Sequence, residues 1–274
     1  MEKSCRHSEH QNPVKTDRLH DRVAMITGAA GGIGRAAAAR FAAEGAKLVL
    51  LDLSADVLNV AKELELRSAD AAAFQADVTS DAAVNDAVAS AIETFGRIDV
   101  LFNTVGGSVP EDAPVDVIDL NVWQRTLRLD LDGTFIACRH VLPYMKQKNR
   151  GAIVNMSSGA ALRGSSKSHA YASAKGAIVS LTKVLAGTYA VNNIRVNAIC
   201  AGRVNTERIR NTYGVPGHPG SVTDPMSGEA QYKQYPFWFS QPEDVANVAL
   251  FLASDESRMI TGAAIAADGG RSSY

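Results

Sequence analysis

The most chemically suggestive pair in the sequence is Tyr171 and Lys175, which stand four positions apart in the stretch YASAK. The pattern over 171–190 predicts a helix, and residues four apart lie on one face of a helix. An ammonium group beside a phenol favours the phenolate, so Tyr171 is a candidate general acid or base. A Tyr and a Lys at this spacing also occur by chance, so the pair needs support from other residues.

A hydroxyl at the end of a predicted strand supplies that support. Ser158 follows the apolar run at 151–157. At this place a hydroxyl can hydrogen-bond a substrate oxygen and stabilise the charge that develops on it. Ser157 is the alternative, because successive side chains of a strand point to opposite sides and only one neighbour can face a cleft. We therefore predict that Ser158, Tyr171 and Lys175 converge on one substrate oxygen.

A glycine-rich turn predicts a nucleotide site. Gly28, Gly32, Ile33 and Gly34 follow an apolar strand at 23–27 and open an alanine-rich helix. Glycines let the backbone turn tightly and approach a pyrophosphate, and the helix N-terminus offers unpaired N–H groups and a positive dipole end. A glycine-rich stretch alone is a weak signal, but its position between a strand and a helix is typical of dinucleotide binding.

The end of the second predicted strand favours NAD over NADP. Asp52 stands about 20 residues beyond the glycines, where a carboxylate can hold ribose hydroxyls and would repel a 2′-phosphate. Gly31 and Leu53 are not basic, so neither would neutralise such a phosphate. Ser54 can cap the helix that follows, which leaves Asp52 for the cofactor.

Three more residues are predicted cofactor contacts because they end the next two strands. Asp77 and Val78 close the third strand, and Asn103 closes the fourth. These positions lie on the carboxyl edge of a parallel sheet, where nucleotides bind. Asp77 could instead cap the helix that follows it.

Short β-branched runs alternate with longer amphipathic stretches from Arg22 onward, which is typical of βαβ units around a buried parallel sheet. The predicted fold is α/β: a single Rossmann-type, doubly wound, parallel seven-stranded sheet with helices on both faces. We expect a disordered tail over 1–20. No repeat or linker divides the chain, so we expect one catalytic domain over 21–274. The predicted strands are 23–27, 47–52, 72–76, 98–103, 151–157, 194–199 and 263–268, and the predicted helices lie near 32–44, 55–67, 80–95, 120–147, 171–190 and 242–253.

Taken together, these motifs resemble the short-chain dehydrogenase/reductase family. The likeness covers about residues 21–271, and an ordered set of this kind is highly specific. The motifs that carry it are TGxxxGxG at 27–34, Asp52, Asn-x-x-Gly at 103–106, Ser158 ahead of the Tyr171-x-x-x-Lys175 pair, and IRVNAI at 194–199.

The resemblance implies roles for individual residues. Tyr171 is the expected acid/base, Lys175 is expected to bind the nicotinamide ribose and tune Tyr171, and Ser158 is expected to orient the substrate. The main chain near Val204, together with Thr206, is expected to meet the nicotinamide carboxamide.

The stretch LDLDGTF at 129–135 departs from the family. It resembles the family's Val-Asn-x-x-Gly-x-Phe, so Asp130 stands where the family has its fourth catalytic residue, an Asn that stabilises a helix kink and lends its main-chain carbonyl to a proton relay. An ionised Asp cannot donate a hydrogen bond, and its charge near Lys175 would counteract the effect of that ammonium on Tyr171. We therefore expect an alkaline activity optimum, and we expect Asp132 to be an ordinary solvated or capping carboxylate.

Composition excludes several other classes of protein. The 274 residues carry a formal net charge of −1, which offers no basic surface for nucleic acid or anionic lipid. No apolar run reaches the roughly 18 residues of a membrane span. The three cysteines, Cys5, Cys138 and Cys200, predict free thiols in a cytoplasmic protein, and no metal site is expected.

Residues 203–241 are rich in proline and aromatic residues and are predicted to form a substrate lid, with a subunit contact as the alternative. Candidate polar substrate contacts are Ser108, Arg163, His169 and Arg203.

The leading hypothesis is an oxidoreductase that uses NAD to convert a secondary alcohol, apolar or ring-bearing, to a ketone. A ketone reductase of the 3-oxoacyl thioester type and a non-catalytic dinucleotide sensor are the alternatives. Helices near 130–147 and 171–190 carry more apolar surface than one sheet face needs, so a homotetramer is predicted and a dimer is the alternative.

Overall fold

A computed structural model of the protein describes residues 17–164, 166–213, 237 and 239–273. Seven strands form one sheet in the order β3-β2-β1-β4-β5-β6-β9, and every neighbouring pair is parallel. The predicted doubly wound, seven-stranded parallel sheet is confirmed. The strands are β1 (Val23–Thr27), β2 (Lys47–Asp52), β3 (Ala71–Gln75), β4 (Val100–Asn103), β5 (Gly151–Ser158), β6 (Ile194–Ala201), β7 (Arg203–Val204), β8 (Phe239–Ser240) and β9 (Ala264–Ala267).

Helices cover both faces of this sheet because alternate strand residues are apolar on both sides. In β1, Ala24 and Ile26 pack with α1, α2 and α8, whereas Val23 and Met25 pack with α3 and α5 on the other face. The helices are α1 (Gly32–Ala43), α2 (Val57–Glu65), α3 (Asp81–Phe95), α4 (Leu120–Leu127), α5 (Gly133–Lys148), α6 (His169–Tyr189), α7 (Glu207–Tyr213) and α8 (Pro242–Ala253).

The helix predicted over 120–147 is interrupted. A π-helical turn over Arg128–Asp132 separates α4 from α5, within the unusual stretch that contains Asp130. Turns of this kind leave a main-chain group outside the regular helical ladder and occur frequently at functional sites.

The ends of the predicted lid are joined by a short parallel pair, β7 with β8, in which Arg203 lies opposite Phe239. Most of the lid, residues 214–236 and 238, lies outside the described residues, as does the tail over 1–16 with Cys5. Near the end of the predicted tail, Leu19 is only 1% exposed and its N–H donates to the main-chain oxygen of Glu44. No helix in the described ranges is long and apolar enough to cross a membrane.

Candidate active site

A cleft of about 320 Å³ lies at the carboxyl edge of the sheet. It is lined by residues that follow β1, β4, β5 and β6, so one opening collects side chains that are far apart in sequence. The site residues predicted from the sequence that line it are Ile33, Ser158, Tyr171, Lys175, Val204 and Thr206.

The glycine-rich turn has the shape that a pyrophosphate site needs. Gly28 has a φ of +71°, which favours glycine, and a Cβ on Gly34 would overlap the main-chain oxygen of Gly28. Helix α1 begins after Gly31 with no side chain capping its N-terminus. The first N–H groups of α1 are thus left for a ligand, and the residues present fit a dinucleotide. Gly32 lies against the methyl group of Thr206, which ties this turn to the segment after β6.

Asp52 braces the same turn. One carboxylate oxygen accepts from the Ala30 N–H at 3.0 Å, and the other accepts from the Ser54 N–H at 2.9 Å. The carboxylate therefore stands beside the glycines, as a ribose contact requires. The nearby cation Arg35 is already paired with Glu63 at 2.8 Å, so its charge is partly neutralised.

The other predicted cofactor residues differ in exposure. Asp77 is exposed, and the cap of α3 is Ser80, so Asp77 does not cap that helix. Val78 is buried against Gly133. The Asn103 side chain is buried and donates to Asn155 Oδ1 at 2.9 Å, so only the main chain at this position is left to meet a cofactor.

The structure distinguishes the two neighbouring serines. Ser157 is buried and donates to the main-chain oxygen of Lys175 at 2.8 Å, which ties β5 to α6. Ser158 is half-buried, and its hydroxyl accepts from the Ala160 N–H at 3.1 Å. Of these two serine hydroxyls, that of Ser158 is the one that remains able to donate to a ligand in the cleft.

Tyr171 and Lys175 lie on one face of α6, as their spacing predicts. The Lys175 ammonium is 5.6 Å from the centre of the Tyr171 ring and donates to the Met156 main-chain oxygen at 3.2 Å. Tyr171 is half-buried at the cleft, whereas Lys175 is only 3% exposed.

Asp130 forms a buried ion pair with Lys175. Its Oδ1 is 2.8 Å from Lys175 Nζ and also accepts from the Gly107 N–H at 3.0 Å. Its Oδ2 is buried and has no hydrogen-bond partner in the part of the chain that the structure describes. The main-chain oxygen of Asp130 accepts from the Thr134 hydroxyl at 3.0 Å. The carboxylate therefore contacts the ammonium that lies beside the Tyr171 ring.

Asp112, a buried residue in the segment between β4 and α4, is not predicted from the sequence. Its two carboxylate oxygens accept from the N–H groups of Ala170 at 3.0 Å and Tyr171 at 2.8 Å, so Asp112 holds the N-terminus of α6. No local motif marks it, because the two segments are joined only in the folded chain.

The candidate substrate contacts are divided by the structure. Ser108, Arg163 and Arg203 line the cleft, but His169 is not among the lining residues. His169 Nδ1 instead accepts from the Val115 N–H at 2.9 Å, which anchors the loop ahead of α4.

Cys138 and Cys200 are free and buried. Burial raises the pKa of the Cys138 thiol to about 12, and burial also raises the pKa of Cys200. Neither thiol is a nucleophile at neutral pH. Among the described residues, no group of His, Cys, Asp and Glu side chains is placed to hold a metal ion.

Several proteins with similar sequences are dehydrogenases. The chain is 37% identical over 257 residues to 2-(S)-hydroxypropyl-CoM dehydrogenase 3 of Xanthobacter autotrophicus, covering 93% of this chain and 98% of that protein. It is 36% identical to cis-4-hydroxycyclohexanecarboxylate dehydrogenase of Sinomonas cyclohexanicum, covering 91% and 96%. It is 37% identical to NAD-dependent glycerol dehydrogenase of Listeria innocua, covering 93% and 96%.

Family and structural comparisons agree with these relatives. The family model described as enoyl-(acyl carrier protein) reductase matches residues 28–272. A short-chain type dehydrogenase/reductase of known structure from Mycobacterium ulcerans superimposes with a TM-score of 0.81 at 27% identity, covering 93% of this chain and 90% of that one. The chain belongs to the short-chain dehydrogenase/reductase family of oxidoreductases.

Proposed function

We propose that the protein is an NAD-dependent dehydrogenase that oxidises a secondary alcohol to a ketone. The observation that carries this proposal is that Ser158, Tyr171 and Lys175 line the same cleft as Ile33 and Thr206, which flank the nucleotide turn. A proton-transfer group and a dinucleotide site therefore share one opening. A protein that only sensed dinucleotides would not need this arrangement of side chains.

A bound nicotinamide dinucleotide supplies the hydride acceptor. Tyr171 removes the hydroxyl proton of the alcohol, and the buried Lys175 ammonium favours the phenolate that does so. Ser158 donates to the substrate oxygen and holds it beside the Tyr171 hydroxyl. Lys175 also offers donors to the ribose of the cofactor.

The choice of NAD over NADP rests on Asp52. Its carboxylate lies against the glycine turn and would repel a 2′-phosphate, while the neighbouring Leu53 is 69% exposed and carries no charge. The proposed contacts of the adenosine half of the cofactor are Val78, the exposed Asp77 and the main chain at Asn103. The NAD-dependent relative from Listeria innocua supports this choice.

The proposed substrate is a small alcohol with an apolar or ring-bearing body. The relative named for a hydroxycyclohexanecarboxylate supports a ring. Reduction of a 3-oxoacyl thioester is the second candidate, favoured by the match to the enoyl-(acyl carrier protein) reductase model. The carboxylate of Asp52 argues against the NADPH that we expect such a reduction to use.

The test is a panel of secondary alcohols with NAD or NADP, followed by the absorbance of the reduced cofactor. We expect turnover with NAD, and we expect Tyr171→Phe to lose roughly 100- to 10,000-fold in kcat while NADH binding persists. A Tyr171→Phe variant as active as the wild type would contradict the assigned acid/base, whereas a wild type that binds NADH but turns over no alcohol would favour the sensor.

The apolar surface on α5 and α6 supports a homotetramer. Phe135 is 50% exposed and Val184 is 63% exposed, and Phe135 also borders a hollow with Leu185 and Tyr189. Exposed apolar groups of this kind mark subunit contacts. Light scattering of the purified protein measures the assembly, with a dimer as the alternative. We further propose that the protein is cytoplasmic, because its two described thiols are unpaired.

A further inference from the structure

The described lining of the reaction cleft is rich in basic side chains. Among the described residues that line it there is no Asp or Glu, whereas six basic side chains do line it. Lys175 is neutralised by Asp130. Three further basic residues of the lining are Arg163, Lys167 and Arg208.

Main-chain oxygens orient the guanidinium groups of two of these residues, and each group keeps further N–H donors for a ligand. Arg163 donates through Nε to the Gly159 oxygen at 3.3 Å, and Arg208 donates through Nη1 to the Ser108 oxygen at 2.8 Å. Each guanidinium has five N–H donors, and a planar fork of this kind matches a carboxylate. Carbonyl partners fix the direction of the two groups without neutralising their charge.

The position of this cluster indicates which ligand it serves. Arg163 and Lys167 belong to the segment between β5 and α6, so they are tethered between Ser158 and Tyr171. The nucleotide turn follows β1, where backbone N–H groups are available to a pyrophosphate. Arg163 and Lys167 therefore lie on the segment that joins Ser158 to Tyr171, whereas Arg208 reaches the same cleft from α7.

We propose that Arg163, Lys167 and Arg208 bind a carboxylate group of the substrate, so that the alcohol oxidised is a small hydroxy acid. This inference rests on the proposed dehydrogenase function. A cleft of about 320 Å³ is at the lower end of ligand pockets, roughly 300–1,000 Å³, and the nicotinamide must share it. A compact acid fits this space, and the relative named for a hydroxycyclohexanecarboxylate is consistent with it.

The experiment compares two ligands of nearly equal shape on the NADH-bound protein by calorimetric titration. Cyclohexanecarboxylate carries the anion, and cyclohexanecarboxamide is its neutral counterpart. We expect the carboxylate to bind roughly 10- to 100-fold more tightly, with an affinity that falls as salt is added. Equal affinities for the two ligands would overturn the proposal.

Substitutions then assign the effect to the cluster. Arg163→Gln and Arg208→Gln are each expected to lower carboxylate affinity about tenfold and to leave carboxamide and NADH affinities unchanged. Arg163→Lys should lose less carboxylate affinity than Arg163→Gln because it keeps the positive charge. Arg67→Gln is the matched control, since this exposed arginine follows α2 and lies outside the cleft lining.

The outcomes separate this inference from the proposed function. If the Gln variants weaken NADH binding, or if they leave the carboxylate preference intact, the cluster does not recognise the substrate and the inference is wrong. If the wild type fails to bind NADH, or if it turns over no secondary alcohol, the dehydrogenase proposal fails instead. Carboxylate binding lost only in the Arg163 and Arg208 variants supports the inference.

Discussion

Beside the cleft, the proposed nucleotide surface is made of backbone. Gly28, Gly34 and the N-terminus of α1 are proposed to form it, and Asp52 is fixed there by two main-chain N–H groups. At the substrate end, the surface is made of long charged side chains such as Arg163 and Arg208. A backbone surface recognises a constant group and leaves no room for a side chain at its tightest positions, whereas a side-chain surface can be exchanged to suit different substrates.

The largest effect is expected where the backbone surface is tightest. Gly34→Ala places a Cβ on the main-chain oxygen of Gly28, which neither segment can avoid without moving β1 or α1. We expect the free energy of unfolding to fall by on the order of 3 kcal/mol or more, as for other overpacked sites. Urea unfolding measured without cofactor tests this.

Gly31→Ala is the matched control within the same turn. A Cβ on Gly31 meets no atom within 4 Å, and its φ of −149° suits any residue. The unfolding free energy should change by less than about 1 kcal/mol. If both variants were equally unstable, close packing at Gly34 would not be what makes the turn rigid.

The second prediction concerns the charge at the end of β2. Replacing Asp52 with Ser and Gly31 with Arg removes a repulsive carboxylate and adds a cation beside the nucleotide turn. We expect the ratio of kcat/KM values with NADP and NAD to rise roughly 10- to 100-fold, the range of one or two charge-assisted contacts. Asp70→Ser is the control, because Asp70 is an exposed carboxylate ahead of β3. An unmoved ratio would remove Asp52 from cofactor selection.

The third prediction concerns Asp112, which holds the N-terminus of α6. Asp112→Asn removes the charge that accepts two N–H groups at the start of α6. We expect a loss of about 1–2 kcal/mol in unfolding free energy, together with a fall in kcat, because this turn of helix carries Tyr171. NAD affinity should be retained, since Asp112 does not line the cleft.

Asp119→Asn serves as the comparison for that variant. Asp119 caps α4 through the Asn121 N–H at 2.7 Å, so its replacement should lower stability with little change in kcat. Equal losses of kcat in both variants would show that Asp112 acts only on stability.

The nucleotide end could be predicted from sequence because its parts are local. The glycines, the end of β1 and the start of α1 stand within one short stretch of sequence. Hydrophobic periodicity predicted all seven sheet strands to within a few residues. Ser158 could also be predicted, but only the structure shows that Ser157 faces inward and bonds the main chain of α6.

The substrate end could not be predicted to the same depth. Arg208 reaches the Ser108 oxygen across a sequence separation of 100 residues, and Asp112 meets Tyr171 across 59. Neither contact leaves a periodic signal in the chain. The short pair of β7 and β8 was missed for the same reason, since two-residue strands show no alternation.

The smallest effect is expected from a substitution at Asp130, which forms the buried ion pair with Lys175. Asp130→Asn keeps an oxygen for the Gly107 N–H and the Lys175 ammonium but removes the negative charge that neutralises Lys175. The ammonium then acts on Tyr171 without compensation and favours the phenolate at lower pH. We expect the acid limb of the kcat/KM profile to move to lower pH, with activity at neutral pH rising roughly two- to tenfold. A merely structural role would lower activity equally at every pH. An unmoved profile would therefore mean that the ion pair holds the π-helical turn and the loop at Gly107 without tuning the proton transfer.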